Sequence, residues 1–328
     1  MTDREEKLDS AGTNPQKPNA DPAESRPRSN AEAVAAGREF VMSMRKDGCW
    51  TDFDAATGPS DIWVTAYVLA RLGQMPSAYI TFAVRQQIEE SLDWLLTRRN
   101  LDGAWGYKSK SVSDAESTAW AVTALTRHGR RAPAESLAFL RNCRHADGGF
   151  CLMGGEAGAP DVTVVTVNSL GKPDAAAVEF LNASWLQANV PLEPSRLVSR
   201  FYICAEILDW QAEQVPRSAL NKVCELIPSC DDQNAFEQAL LLRCLTHLRM
   251  QKALSVAGNL RRMQSADGSW PASALLAEPL RGRESGLDRK QIFTTATAIS
   301  ALAAAEIQPG LYFGSDRPVP QRLSPKRL

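Results

Sequence analysis

Residues 260–270 read LRRMQSADGSW: the tail of a helical segment, an Asp-Gly turn, and a tryptophan directly after it. Asp-Gly punctuates a chain sharply, because glycine accepts the left-handed conformation that closes a tight turn. The same device recurs as RKDGCW at 45–50, NLDGAW at 100–105 and HADGGF at 145–150. Segments with helical spacing precede these turns, such as SLDWLLTRR and SVAGNLRRM. Ala- and Leu-rich segments follow them: TAYVLARL, TAWAVTAL, TVVTVNSL and TATAISAL. A helix apolar nearly all round is buried on most of its surface, whereas an amphipathic one lies outside it. A fixed repeat of this kind decides the architecture.

Two further units lack the turn but keep the helix pair. They are DAAAVEFLNASWLQ with SRLVSRFYICAEIL, and ALNKVCELI with NAFEQALLLRCLTHL. The spacing therefore predicts six pairs. Outer helices fall near 31–45, 86–99, 133–144, 175–188, 218–227 and 253–264. Inner helices fall near 61–72, 114–127, 161–170, 196–208, 233–248 and 291–305. No alternating strand pattern is read anywhere. The expected fold is all-α, an (α/α)6 toroid or barrel whose closure removes the need for capping repeats.

Composition bounds the function classes. The chain has 328 residues, a formal net charge of −1 and 44% hydrophobic residues. That balance gives no electrostatic footprint for nucleic acid. No apolar run approaches the roughly 20 residues that span a bilayer. The polar N-terminus does not read as a secretory signal, and seven scattered cysteines without a CxxC suit reduced, buried thiols. The expectation is a cytoplasmic protein. Its toroid spans 31–308, with disordered tails at 1–30 and 309–328 that carry too little apolar area to fold.

The inner helices register on Leu72, Leu125, Leu170, Leu208, Leu245 and Leu302. Nine residues before these stand Trp63, Glu116, Asp161, Ser199, Phe236 and Phe293. Seven before stand Thr65, Thr118, Thr163, Phe201, Gln238 and Thr295. Eleven before stand Asp61, Asp114, Ala159, Leu197, Asn234 and Gln291. All lie at helix starts, so they are expected to ring one mouth of the barrel. Asp61 and Asp114 also suit helix capping. The ninth-position ring sets Glu116 and Asp161 beside Trp63, Phe236 and Phe293. Carboxylic acids in a dry cavity favour their protonated form, and aromatic faces stabilise a cation. A plain apolar core would use the same aromatics.

LRRMQSADGSW resembles the Q-W repeat of squalene-hopene and related triterpene cyclases, through Leu260, Gln264, Gly268 and Trp270. Leu95, Gly103 and Trp105 keep the spacing, with Arg99 where that family often has Gln. The resemblance to the terpenoid-cyclase and protein-prenyltransferase superfamily covers most of 31–308. Class II members of that superfamily start cyclisation by protonation from a DxDD motif, usually followed by Thr-Ala. The aligned stretch here is Asp114-Ala115-Glu116-Ser117-Thr118-Ala119. The resemblance implies Glu116 as the proton donor, assisted by Asp114 and Asp161, with Trp63, Phe236 and Phe293 lining the cavity. Ser117 stands where the family has its last Asp. The tryptophans of the repeat read as clamps between turn and helix.

The implied activity is proton-initiated cyclisation of a prenyl or polyprenyl chain, with neither cofactor nor metal. The alternative is a non-catalytic toroid that binds an isoprenoid or a partner protein; peripheral membrane contact is left open. DGGFCLMGG at 147–155 resembles the turn before the zinc-binding helix of protein prenyltransferase β subunits. Asp161-Val162-Thr163 and Thr294-Thr295-Ala296 supply neither the Cys nor the His of that site, so zinc-dependent prenylation is rejected. There is no Gly-Cys-x-Glu-Gln thioester and no Cys-His-Gly signature of lanthionine cyclases. Asp231-Asp232 with Glu237 faintly resembles a class I magnesium motif, and paired acids at a helix start usually cap it.

Overall fold

The computed structural model describes residues 28–53, 58–155, 157–171, 173–186, 197–210, 214–227, 234–277 and 285–306. Both expected tails lie outside these residues, apart from 28–30, and so does Asp231-Asp232. Twelve α-helices run through the described residues: α1 (Asn30–Ser43), α2 (Ile62–Leu72), α3 (Phe82–Thr97), α4 (Ala115–Arg127), α5 (Ala134–Asn142), α6 (Pro160–Leu170), α7 (Ala175–Leu181), α8 (Tyr202–Ile207), α9 (Arg217–Leu226), α10 (Ala235–His247), α11 (Lys252–Arg262) and α12 (Ile292–Glu306).

Even-numbered helices form the inner wall, touching in the order α2, α4, α6, α8, α10, α12 and back to α2. Odd-numbered helices pack outside them. Helix α2 is buried along its whole length, and α10 and α12 nearly so, as their apolar sequences require. Helix α8 starts later than its sequence suggests, at Tyr202. Ser199 therefore lies in the segment entering α8, where its Oγ accepts from the Phe201 and Tyr202 N–H groups. One strand pair was not foreseen: β1 (Leu275–Ala277) and β2 (Ser285–Leu287) pair antiparallel. Three residues per strand are too few for an alternating pattern to be read.

The repeat has a recurrent lock. The Oγ1 of Thr65 donates to Trp50 O and accepts from Trp50 N–H, and Thr118 does the same with Trp105. Thr163 accepts from Phe150 N–H, and Thr295 from Trp270 N–H. The Trp50, Trp105 and Trp270 indoles donate to Val41 O, Leu95 O and Leu260 O on the preceding outer helices. The turn tryptophans are thus clamps between turn and helices. The seventh-position threonines serve the turns, which corrects their expected place around the mouth. Gly268 has a φ of +91°, and a Cβ there would stand 2.4 Å from Ala36 O, so the turn needs glycine for both conformation and close approach.

Each unit also reaches the next. Trp63 N–H donates to Tyr107 O, Ala115 N–H to Leu152 O, and Phe236 N–H to Ser273 Oγ. The ring closes where the Asp52 carboxylate, from the first unit, accepts from Lys290, Ile292 and Phe293 N–H at the start of α12. Helix N-termini carry unpaired N–H groups, and a residue 240 positions away satisfies these.

Candidate functional site

Spacing of four residues stacks side chains one turn apart on a helix. On α2 that rule sets Trp63, Tyr67 and Arg71 in one stripe. On α4 it sets Glu116 above Trp120, and on α8 it sets Tyr202 above Glu206. Arg71 Nη2 donates to Glu206 Oε1 at 2.5 Å. Helices α2 and α8 stand three places apart in a ring of six, so this bond crosses the barrel axis and the three stripes face inward. The interior then has three levels. Trp63 and Glu116 lie at the helix starts, Tyr67, Trp120 and Tyr202 in the middle, and Arg71 with Glu206 at the far end.

The upper level holds the residues read from the sequence. Glu116 is 1% exposed, Asp161 3% and Asp114 6%. Glu116 and Asp161 take equivalent first-turn places on α4 and α6, which are in contact. Asp114 caps α4: its Oδ1 accepts from Ser117 N–H at 2.7 Å and its Oδ2 from Ser117 Oγ at 2.8 Å. Ser117 is thus a donor to Asp114. Asp61 does not cap its own helix and instead accepts from Ser109 N–H and Ser109 Oγ in the next unit.

The aromatic residues do come together. Phe293 stacks on Trp63 with centroids 4.9 Å apart and lies 5.7 Å from Phe236. It also stacks on Tyr67 at 3.6 Å and meets Phe53 edge-on at 5.1 Å. Tyr67 meets the Trp120 ring at 4.8 Å, and its hydroxyl donates to Thr297 Oγ1, which in turn donates to Phe293 O. Several of the faces expected to line a cavity are therefore packed on one another.

The far end is ionic, which sequence reading missed. Glu206 Oε1 accepts from both Arg71 and Arg243, and Asp209 accepts from Arg243, Arg127 and Gln74. The Arg71 guanidinium lies 4.5 Å from the Tyr67 centroid and 4.9 Å from that of Trp120. Burial alone would raise the Glu206 pKa, but Arg71 and Arg243 outweigh it and hold the carboxyl at about 2. Burial, then Glu116, Glu206 and Tyr67, push the Tyr202 phenol well above its ordinary value. The four-residue stripes were the signal for Tyr67, Trp120 and Arg71. For Tyr202 and Glu206 the signal failed, because registering α8 on Leu208 assumed a full-length helix.

Two more buried acids flank the start of α12. Asp288 accepts from Ser273, Ala274 and Thr294 N–H. Burial, reinforced by the charge of Asp52, raises it to about 7. Asp52 is raised too, by burial. Among the described residues no group of His, Cys, Asp and Glu could hold a metal ion, and no helix is long and apolar enough to cross a membrane.

The same helical scaffold occurs in known proteins. A type II terpene cyclase from Scytonema superposes over 85% of this chain and 99% of its own, with a TM-score of 0.69 and 20% identity. The fold is that of the type II terpene cyclases. This terpene-cyclase-type toroid is also similar to a protein from Actinoplanes, at a TM-score of 0.71 and 25% identity over 84% of this chain and 99% of that one. In sequence, 128 residues are 39% identical to a drimenyl diphosphate synthase of Streptomyces showdoensis. That match takes in 38% of this chain and only 24% of the relative's length. The family model of the A-macroglobulin TED domain matches residues 28–128.

Proposed function

We propose that the chain is a class II terpene-cyclase-like enzyme that cyclises a prenyl or polyprenyl chain by protonation. The observation that carries this reading is the place of Glu116. It is buried in the first turn of an inner helix, directly behind the capping Asp114 and one turn above Trp120. Two similarities support it: the drimenyl diphosphate synthase segment, and the Scytonema cyclase fold, which is known in complex with geranylgeranyl dihydroxybenzoate.

In this reading Glu116 delivers its proton to the distal double bond, and the positive charge forms beside aromatic rings that stabilise it. Asp114 holds the helix start and Ser117 in place, and Asp161 contributes from α6. Trp63, Phe236 and Phe293 shape the wall. The ligand is an isoprenoid small molecule.

The test is incubation of the full chain with farnesyl diphosphate, geranylgeranyl diphosphate and squalene, with products read by mass spectrometry. A cyclised product made by wild type and lost in Glu116→Gln is expected. Equal turnover by the two proteins would remove Glu116 from the mechanism.

One observation favours a second reading, a non-catalytic toroid that binds an isoprenoid or a protein. Trp63, Tyr67, Phe236 and Phe293 are at most 1% exposed and touch one another, so the α10–α12–α2 side of the interior is filled by its own side chains. Absence of product together with tight binding of a prenyl chain would select it.

A further inference from the structure

The middle of the barrel contains polar atoms that the protein leaves unmatched. Trp120 Nε1, Tyr202 Oη and Arg71 Nε are buried and have no hydrogen-bond partner among the described residues. Their side chains are 2%, 0% and 0% exposed. They belong to one contiguous group, because Arg71 lies against the Trp120 ring and bonds Glu206, one turn below Tyr202 on α8.

A buried polar group without a partner costs roughly 1–3 kcal/mol, so folded proteins keep few of them. Three together, on three different inner helices, need an explanation. Indole and guanidinium N–H groups can only donate, so whatever matches them must be an acceptor. Charge narrows the choice further. The adjoining network sets three guanidiniums (Arg71, Arg127 and Arg243) against two carboxylates, Glu206 and Asp209. A single negative charge balances it, whereas a diphosphate would overshoot.

We propose that Trp120, Tyr202 and Arg71 form a subsite for an oxygen acceptor, a carboxylate above all, carried by the prenyl ligand of the barrel. The proposal rests on the prenyl-binding reading above and names the class of ligand: a prenyl chain with a monoanionic or carbonyl oxygen, in place of a bare hydrocarbon. The Trp120 member of the subsite lies one helical turn, about 5.4 Å, below Glu116, and the Arg71 guanidinium reaches the Trp120 ring from the far end. Binding there breaks no existing hydrogen bond of these three atoms, so the bonds made to the ligand offset only its own loss of water.

The test is calorimetric titration of the full chain with farnesoic acid and with farnesene, a hydrocarbon of the same prenyl length. The acid is expected to bind at least tenfold more tightly. Tyr202→Phe deletes only the unmatched hydroxyl, so its melting temperature should equal or exceed that of wild type. Its affinity for the acid should fall about tenfold, the scale of one hydrogen bond to a charged acceptor, with farnesene unaffected. Trp120→Phe should also weaken binding of the acid, but with a lower melting temperature, because it shrinks a buried ring packed on Tyr67 and Arg71.

Equal affinities for the two ligands in wild type, or a loss in Tyr202→Phe shared by both, overturns the subsite. So does a lower melting temperature for Tyr202→Phe, since the hydroxyl would then have a structural partner. The two readings fail separately. Acid-selective, Tyr202-dependent binding without any cyclised product keeps the subsite and removes the cyclase. A Glu116-dependent product with no preference for the acid does the reverse, and binding of neither ligand removes both.

Discussion

Arg71 on α2 meets Glu206 on α8 at 2.5 Å across the barrel axis, joining two inner helices that are not neighbours in the ring. Both side chains are fully buried, and Arg243 shares the same carboxylate oxygen. Removing one partner of such a pair leaves a buried charge uncompensated. Glu206→Gln should therefore destabilise the protein by about 3–5 kcal/mol in urea unfolding, while apolar replacement of the whole network should cost much less. A loss under about 1 kcal/mol for Glu206→Gln would mean that water reaches the network.

The threonine lock makes a local prediction. Thr118 both donates to and accepts from the Trp105 backbone, and valine has nearly the same shape. Thr118→Val should cost about 1–3 kcal/mol by leaving the buried Trp105 N–H unmatched, whereas Trp105 O keeps its bond from Asp114 N–H. Hydrogen exchange at Trp105 N–H should rise more than at Trp270 N–H, which has its own lock on Thr295.

Ring closure depends on Asp52. Asp52→Ala removes the acceptor for the first N–H groups of α12 and should cost about 2 kcal/mol, the upper end for loss of a cap. Exchange should quicken at Ile292 and Phe293 first. Unchanged protection there would show that another group closes the ring.

Stability should depend on pH through Asp288. Its folded pKa, raised by burial from 3.8 to about 7, means that the folded state holds a proton which the unfolded state releases at lower pH. Its contribution is thus complete below about pH 4 and falls as pH rises toward 7. Wild type should lose stability relative to Asp288→Asn across that window. Glu206 acts oppositely, because its pKa is held at about 2 and its contribution disappears as pH falls from the ordinary carboxylate range toward that value. A difference between wild type and Asp288→Asn that is flat from pH 4 to 7 would contradict the assignment.

Much of the fold was legible because it is a local pattern repeated. Asp-Gly-x-Trp turns and nearly all-apolar helices such as TATAISAL state their geometry within a dozen residues. A turn at Gly268 and a buried α12 follow from conformation and hydrophobicity alone. Glu116, Asp161, Trp63, Phe236 and Phe293 share one level of the barrel, as their equal spacing from a repeat landmark implied. That method failed where the repeat is degenerate. At α8 the late helix start moved Ser199 to a capping role and left Tyr202 and Glu206 facing the interior.

The sequence by itself determined a toroid of helix pairs, the turn clamps and the level at which an acid could stand. Only the tertiary structure decided which side chains meet across the axis. Nothing in the local chemistry of Arg71 or Asp52 announces a partner 135 or 240 residues away. Such pairs exist because closing the ring buries charges and helix ends that water would otherwise satisfy. A buried charge takes whatever complementary group the closed barrel brings within hydrogen-bond distance.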